Sequence, residues 1–147
     1  MDLDQIERRL RAVEATQEIL NLHNEYLFHL NQKQWRAMAD CFTEDAVAYI
    51  HEKRVGREDI FRLFTDVIAR LNAGKSRDIH FAVQPVIQVD GDQAKGHWLI
   101  YIFISDAETG NAKRWIPGRY DCEYARVEGK WKFSSLTYSS PWPGEEN

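Results

Sequence analysis

Cysteine, proline and long apolar runs are all scarce in this chain of 147 residues. Its two cysteines, Cys41 and Cys122, lie far apart, and neither has the spacing of a Cys-x-x-Cys or Cys/His metal site. We therefore expect free, buried thiols in a reducing compartment. No apolar run approaches the roughly 20 residues that a membrane-spanning helix needs, and the acidic start lacks the apolar segment of a signal peptide. A cytoplasmic location is the expectation that follows.

Charge of one sign is not in excess either. The 19 Lys and Arg residues nearly balance 23 Asp and Glu residues, for a net charge of −4. Such a balance argues against broad binding of nucleic acid or of an anionic membrane. The chain also contains no glycine-rich phosphate loop and no cluster with metal-ligand spacing. We expect no cofactor and no metal, nucleic-acid or membrane partner.

Glycine and proline are missing from the first 55 residues, where apolar residues recur at intervals of three and four. This is helical spacing. The length predicts one domain, which we place at residues 1–143 with a polar tail at residues 144–147. The predicted helices are a first from Leu3 to about Leu30 with a bend near Ala15, a second around Trp35–Phe42, and a third over Glu58–Leu71 that Asn72, Ala73 and Gly74 end.

Strand-forming residues dominate the rest of the chain, and turn residues separate the runs. Pro85 marks a bulge or an edge strand. Helices that precede an antiparallel meander predict an α+β fold, in which a curved antiparallel sheet wraps on three helices into a cone. The predicted strands are Ala46–His51, Ile79–Val89, Gln93–Ser105, Lys113–Val127 and Lys130–Ser140.

Alternation along the long strands predicts a pocket and an interface. In the strand at Gln93–Ser105, both faces are apolar, with Trp98 on one face and Leu99 on the other. One face should line a cavity and the other would lie bare in a monomer, so we expect a homo-oligomer. The expected ligand-binding residues are Trp98, Tyr120, Cys122, Tyr49 and Phe64. An aromatic core without a cavity is the alternative.

The chain resembles the SnoaL-like branch of the nuclear transport factor 2-like superfamily. The resemblance rests on the order and spacing of the segments YLFHLNQKQWRAMADCF, FTEDAVAYI, GREDI, DIHF and RYDCEYARVEGKWKF. It covers nearly the whole chain, and the pattern is most similar to those of scytalone dehydratase and bile acid 7α-dehydratase. It implies a cystatin-like α+β barrel and a homotrimer, with a homodimer as the alternative. The aromatic residues expected in the pocket suit a small, hydrophobic and cyclic ligand.

The resemblance also implies three catalytic residues. His80 matches the family histidine, Tyr26 matches a tyrosine of the bile acid enzyme, and Asn31 stands where these enzymes have an aspartate. An imidazole can take a proton from carbon and return it to a leaving hydroxyl, while a phenol can stabilise an enolate. Asn31 could fix the tautomer of the imidazole but not stabilise its cation. We therefore expect Asn31→Asp to raise a lyase-type activity.

Two functions stay open at this point. The first is a cofactor-free lyase or isomerase of dehydratase type, with His80 as general acid and base. The second is a non-catalytic module of the same fold that binds a small molecule or a partner. In the second case His80 is structural, Tyr26 belongs to the core and Asn31 caps the first helix. We expect the remaining helix and loop histidines, His23, His29 and His51, at the surface.

Overall fold

The computed structural model describes residues 1–71 and 74–145. Within these residues the chain forms helical segments that precede and interrupt a six-stranded sheet. In chain order the elements are α1 (Leu3–Asn31), α2 (Trp35–Ala39), β1 (Phe42–Ile50), β2 (Glu52–Val55), α3 (Arg57–Arg62), a π-helix (Leu63–Ile68), α4 (Ala69–Leu71), β3 (Ser76–Asp90), β4 (Gln93–Asp106), β5 (Ala112–Val127) and β6 (Lys130–Ser139).

The sheet has the strand order β2-β1-β6-β5-β4-β3, so it is open, with β2 and β3 at its edges. The predicted α+β fold with a curved sheet is confirmed. The sheet is antiparallel except between β1 and β6, which run parallel. Pro85 marks both predicted features, since β3 is an edge strand and its register shifts between Val83 and Val86.

Element boundaries differ from the prediction in the first half of the chain. Phe42 begins β1 instead of ending the second helix, and β2 was not predicted. The third helix is confirmed as a helical region, but its middle is a π-helix. The predicted helix stop at Asn72 and Ala73 lies outside the described residues, as do the last two residues of the tail.

Strand alternation assigns the two faces of the sheet. Trp98 and Ile100 of β4 are buried on the inner face, whereas Leu99 and Tyr101 point outward and are half-exposed. The same alternation buries Tyr120, Cys122 and Tyr124 of β5. The inward orientation that the pocket prediction requires of Tyr120 and Cys122 is therefore confirmed. The inner face packs on a core centred on α1 and on the buried rings of β1 and β6.

The apolar stripe of α1 changes sides along the helix. Residues 1–14 are all exposed, including an apolar series that begins with Leu3 and ends with Val13, which is 66% exposed. From Ala15 onward the stripe is buried against the sheet. At about 100° per residue the two stripes lie roughly 180° apart. The exposed series, which comprises Leu3, Ile6, Leu10 and Val13, is therefore not an extension of the core stripe.

A histidine lies at the centre of the core. His23 is fully buried, stacks on Trp98 with 3.9 Å between ring centroids, and pairs through Nε2 with the hydroxyl of Tyr124. That hydroxyl also accepts a hydrogen bond from Trp98 Nε1 at 3.1 Å. The expectation of a surface position for His23 is therefore wrong. His23 follows the buried stripe of α1 because the Tyr124 hydroxyl satisfies one of its ring nitrogens.

Replacement of Tyr124 by Phe tests this pairing. The substitution keeps the ring but leaves His23 Nε2 and Trp98 Nε1 without their shared partner in the core. We expect a loss of roughly 2 to 4 kcal/mol in the free energy of unfolding, since each buried unsatisfied group costs about 1 to 3 kcal/mol. Urea unfolding measures the loss. Tyr49→Phe is the matched control, because Tyr49 is exposed, and a loss as small as the control's would contradict the assignment.

Candidate functional site

His80 lies on the inner face of edge strand β3, opposite Ile102 of β4. Alternation places Asp78, His80 and Ala82 on this face, and the His80 side chain is 14% exposed. The side chain therefore lies between the core and solvent. The half-buried apolar side chains Trp35, Val67, Ile68 and Ala82 pack against the core from partly exposed positions.

Asn31 holds the backbone of His80 instead of its ring. The Asn31 Oδ1 atom accepts a hydrogen bond from the His80 N–H at 2.8 Å, and Asn31 Nδ2 donates to the His80 carbonyl at 2.9 Å. The amide thus binds the free edge of β3 in the way that a neighbouring strand would. Asn31 is the last residue of α1 and Gln32 is its C-cap, so the C-cap alternative is wrong.

A carboxylate next to the imidazole comes from Asp78, which sequence reasoning missed. Asp78 Oδ2 lies 3.3 Å from His80 Nδ1, although Nδ1 has no aligned hydrogen-bond partner among the described residues. The other oxygen, Oδ1, accepts a hydrogen bond from Lys33 Nζ at 2.9 Å. The signal was present in the segment DIHF, because residues two apart on a strand share a face.

Burial sets the charge of His80. It lowers the pKa of the imidazole to about 4, with the carboxylate of Asp78 acting in the opposite direction and Lys33 in the same direction. The ring is therefore neutral near pH 7 and has a nitrogen lone pair free to accept a proton. A neutral imidazole between the core and solvent can act as a general base.

Tyr26 lies in the core, away from solvent. Its ring makes edge contacts with those of Phe42, Tyr120 and Phe133. Burial raises the pKa of both phenols. Tyr138 packs edge-on against Tyr120 and is half-buried, so the three tyrosines run from the core toward the surface.

The predicted ligand-binding residues divide between the two faces. Trp98, Tyr120 and Cys122 are buried on the inner face, and Phe64 of the π-helix is buried with its ring 6.0 Å from that of Trp35. Tyr49 is 43% exposed on the outer face of β1, so its placement in the pocket wall is wrong. Alternation along β1 buries Ala46, Ala48 and Ile50 and turns Tyr49 outward.

Two grooves lie away from His80. A groove of about 1250 Å³ is lined by mixed charges, including Glu44, Arg57, Glu123 and Lys132, and a second of about 470 Å³ includes His97. Neither is lined by His80 or Tyr26. We place the candidate site at His80 because it combines burial with an adjacent carboxylate, whereas Arg57 and Lys132 of the larger groove bind backbone carbonyls.

The described residues contain no group of three or more His, Cys, Asp or Glu side chains that could hold a metal ion. Both cysteines are free and buried, as predicted, and burial raises the pKa of each thiol. Neither is therefore a reactive nucleophile. No helix in the described part of the chain is both long and apolar enough to cross a membrane.

Helices packed in the concave side of a curved, open sheet define the cystatin-like class of α+β folds. The model of the SnoaL-like domain matches residues 11–137, and the chain belongs to this family. None of the curated proteins matches the sequence.

Solved structures support the assignment. A candidate aromatic ring hydroxylase from Novosphingobium aromaticivorans is 26% identical, with a TM-score of 0.74 over 89% of this chain and 92% of that one. An NTF2-like protein with a cystatin-like fold from the same organism is 21% identical, with a TM-score of 0.80 over 98% and 92%. A hexachlorocyclohexane dehydrochlorinase is 22% identical, with a TM-score of 0.78 over 91% and 90%.

The two buried histidines predict acid sensitivity. Burial lowers the pKa of His23 to about 3 and that of His80 to about 4, both from an ordinary value of 6.5. The unfolded chain therefore binds more protons than the folded chain below pH 6.5, and stability falls as the pH falls toward 4.

We expect each histidine to lower the free energy of unfolding by up to about 1.4 kcal/mol for each unit by which the pH falls in that window. Urea unfolding between pH 7 and pH 4.5 measures the slope. His23→Gln should flatten it, whereas His97→Gln, which removes an exposed histidine of β4, should leave it unchanged. Equal slopes for wild type and His23→Gln would show that the ring is not held neutral by burial.

Proposed function

We propose that the protein is a cofactor-free lyase or isomerase of dehydratase type that acts on a hydrophobic, cyclic small molecule. His80 is its general acid and base. The observation that carries this proposal is a neutral imidazole at the border of an apolar core, with a carboxylate 3.3 Å from its Nδ1 atom. The SnoaL-like fold and the likeness to a dehydrochlorinase support small-molecule chemistry of the lyase or isomerase type.

The proposed reaction needs only proton transfers. The His80 Nε2 lone pair takes a proton from the carbon beside a carbonyl, and the electrons of that C–H bond form an enolate. The enolate then expels the β-hydroxyl, which leaves as water with the proton of the imidazolium. The ring returns to its neutral form, so no external oxidant, reductant or nucleophile is consumed.

Tyr26 has a conditional role in this proposal. Its hydroxyl would polarise the carbonyl only if the ligand reaches the pair of rings that Tyr26 forms with Tyr120 in the core. Apolar groups around that pair suit a ring system better than a polar chain. Tyr26→Phe keeps the packing and removes the hydroxyl, so it tests this role separately from that of His80.

A specific observation favours the second candidate, a non-catalytic binding module. The rings of Tyr26, Phe42 and Phe133 contact one another, which fills the inner end of the cone with aromatic core. A ligand that packs on these three rings could be bound without undergoing a reaction. Binding without turnover, equal in the wild type and in His80→Ala, would favour this candidate.

Replacement of His80 by Ala separates the two candidates. We expect bicyclic and steroid-like β-hydroxy ketones to raise the melting temperature and to be dehydrated, with turnover followed by the absorbance of the enone. His80→Ala should lower turnover by about a hundred- to ten-thousand-fold, and Asn31→Ala by less, because it loses no transferring group. His97→Ala is the matched control. Equal rates for wild type and His80→Ala on a turned-over compound would refute the proposed chemistry.

We also infer a homo-oligomer, with a trimer ahead of a dimer. The outer faces of β3 to β5 carry an apolar surface that is exposed in the single chain, from Ile79 at 50% to Trp115 at 56% exposure. The ring of Phe81 contacts those of Tyr101 and Trp115 on this surface. A second subunit is the simplest cover for such a surface.

Light scattering at micromolar concentration tests the assembly. We expect the mass of three chains for the wild type and a lower mass for Phe81→Lys, because a charge at the centre of the apolar surface opposes its burial. Val55→Lys is the control, since Val55 is an exposed apolar residue on the opposite edge strand. A monomer mass for the wild type would contradict the inference.

A further inference from the structure

We propose that Asp78 is the positioning residue of His80 and accepts a hydrogen bond from Nδ1–H, so that Nε2 is left as the base. Lys33, which binds the other oxygen of Asp78, limits how strongly this carboxylate acts on the ring. As a statement about catalysis the proposal rests on the proposed function of His80. As a statement about the ring it stands alone, because the position of the imidazole proton is measurable without a substrate.

The geometry supports Asp78 as the acceptor. Asp78 and His80 lie two residues apart on β3, so both side chains project from the inner face. They are similarly buried, at 18% and 14% exposure, and Oδ2 lies 3.3 Å from Nδ1. Within the described residues Nδ1 has no other partner, and catalytic hydrogen bonds are often long before a ligand binds. A small rotation of either side chain completes the bond.

The role of Asn31 explains why the carboxylate comes from the strand. Both functional atoms of its amide are used on the His80 backbone, one as acceptor and one as donor. An aspartate could accept from the N–H but could not donate to the carbonyl, and its charge would face that carbonyl oxygen. Asn31 is therefore suited to fastening the edge of β3, and it does not take the place of the imidazole partner.

Lys33 completes the arrangement from the turn after α1. Its ammonium group binds Oδ1 of Asp78 at 2.9 Å, which leaves Oδ2 directed to the imidazole. The other elements around His80 present neutral groups, namely Ile102 on β4 and Asn31 on α1. Asp78 and Lys33 are thus the two charges that act on the ring, in opposite directions.

Nitrogen-15 NMR of histidine-labelled protein tests the proposal at pH 7. We expect His80 to carry its proton on Nδ1 in the wild type and to shift toward the Nε2–H form in Asp78→Asn, whose amide can donate to Nδ1. On titration, the protonation midpoint of His80 should move to lower pH in Asp78→Asn and to higher pH in Lys33→Met. Asp121→Asn is the matched control, since Asp121 pairs with Arg119 on β5.

The outcomes separate this proposal from the proposed function. A wild-type His80 with its proton on Nε2, or a tautomer that is the same in Asp78→Asn, would overturn the role of Asp78. The expected tautomer and its loss in Asp78→Asn support that role even where no ketone is dehydrated, in which case only the proposed function fails. With turnover, Asp78→Asn should lower kcat by about tenfold or more with KM little changed.

Asn31→Asp supplies a second, independent outcome. We expect this variant to be less stable and less active than the wild type, the reverse of what the resemblance alone suggests, because it loses the donor to the His80 carbonyl. Asn31→Asp that keeps full stability and raises turnover would show that the helix position, and not Asp78, is where the carboxylate belongs.

Discussion

The joint between the end of α1 and the free edge of β3 fixes the geometry of the candidate site. One amide, that of Asn31, satisfies both backbone hydrogen-bonding groups of His80. Unpaired backbone groups on an edge strand otherwise need water or a partner chain. The joint positions the imidazole relative to the helix, while the twist and inward alternation of β3 place Asp78 beside it. Loosening this joint would move the proposed base, even though Asn31 does not contact the ring.

The two histidines with lowered pKa values have different roles. His23 is enclosed by Trp98, Tyr124 and Phe133, so its neutral ring acts as a core side chain with one satisfied nitrogen. His80 is also neutral, but it lies beside a carboxylate that is itself bound to a lysine. A lowered pKa therefore does not identify a functional histidine by itself. Access from solvent and a charged neighbour distinguish His80.

Periodicity predicted the parts of the fold that depend on one buried face. Alternation in β4 and β5 correctly grouped Trp98 with Ile100 and Tyr120 with Tyr124, because a strand with a covered face has only one register. It could not say which set of β4 faces the core, because both sets are apolar. The change of sides in α1 coincides with a break in the spacing, because Val13 and Ile19 lie six residues apart. The prediction interpreted this break as a bend near Ala15, but α1 is one helix from Leu3 to Asn31.

Residue types at the site were less informative than their partners. His23 was expected at the surface because its partner, Tyr124, lies 101 residues away in sequence. The resemblance predicted that Asn31 would bind the imidazole. The position of a residue in a family pattern does not show which atoms its amide binds, and Asn31 binds the backbone of His80. Asp78 was overlooked although it stands two residues from His80. The contacts of His23 and Asn31 are made across the fold, which local pattern does not contain, whereas that of Asp78 was readable from strand alternation.

The dependence of kcat/KM on pH tests the central claim most directly, which is that His80 works as a neutral base in a buried site. The account predicts an acidic limb with a midpoint well below the ordinary histidine value of 6.5, since burial lowers the pKa of the free protein's imidazole to about 4. The residual activity of His80→Ala should show no such acidic limb. A midpoint at or above 6.5, or an unchanged limb in that variant, would contradict the account.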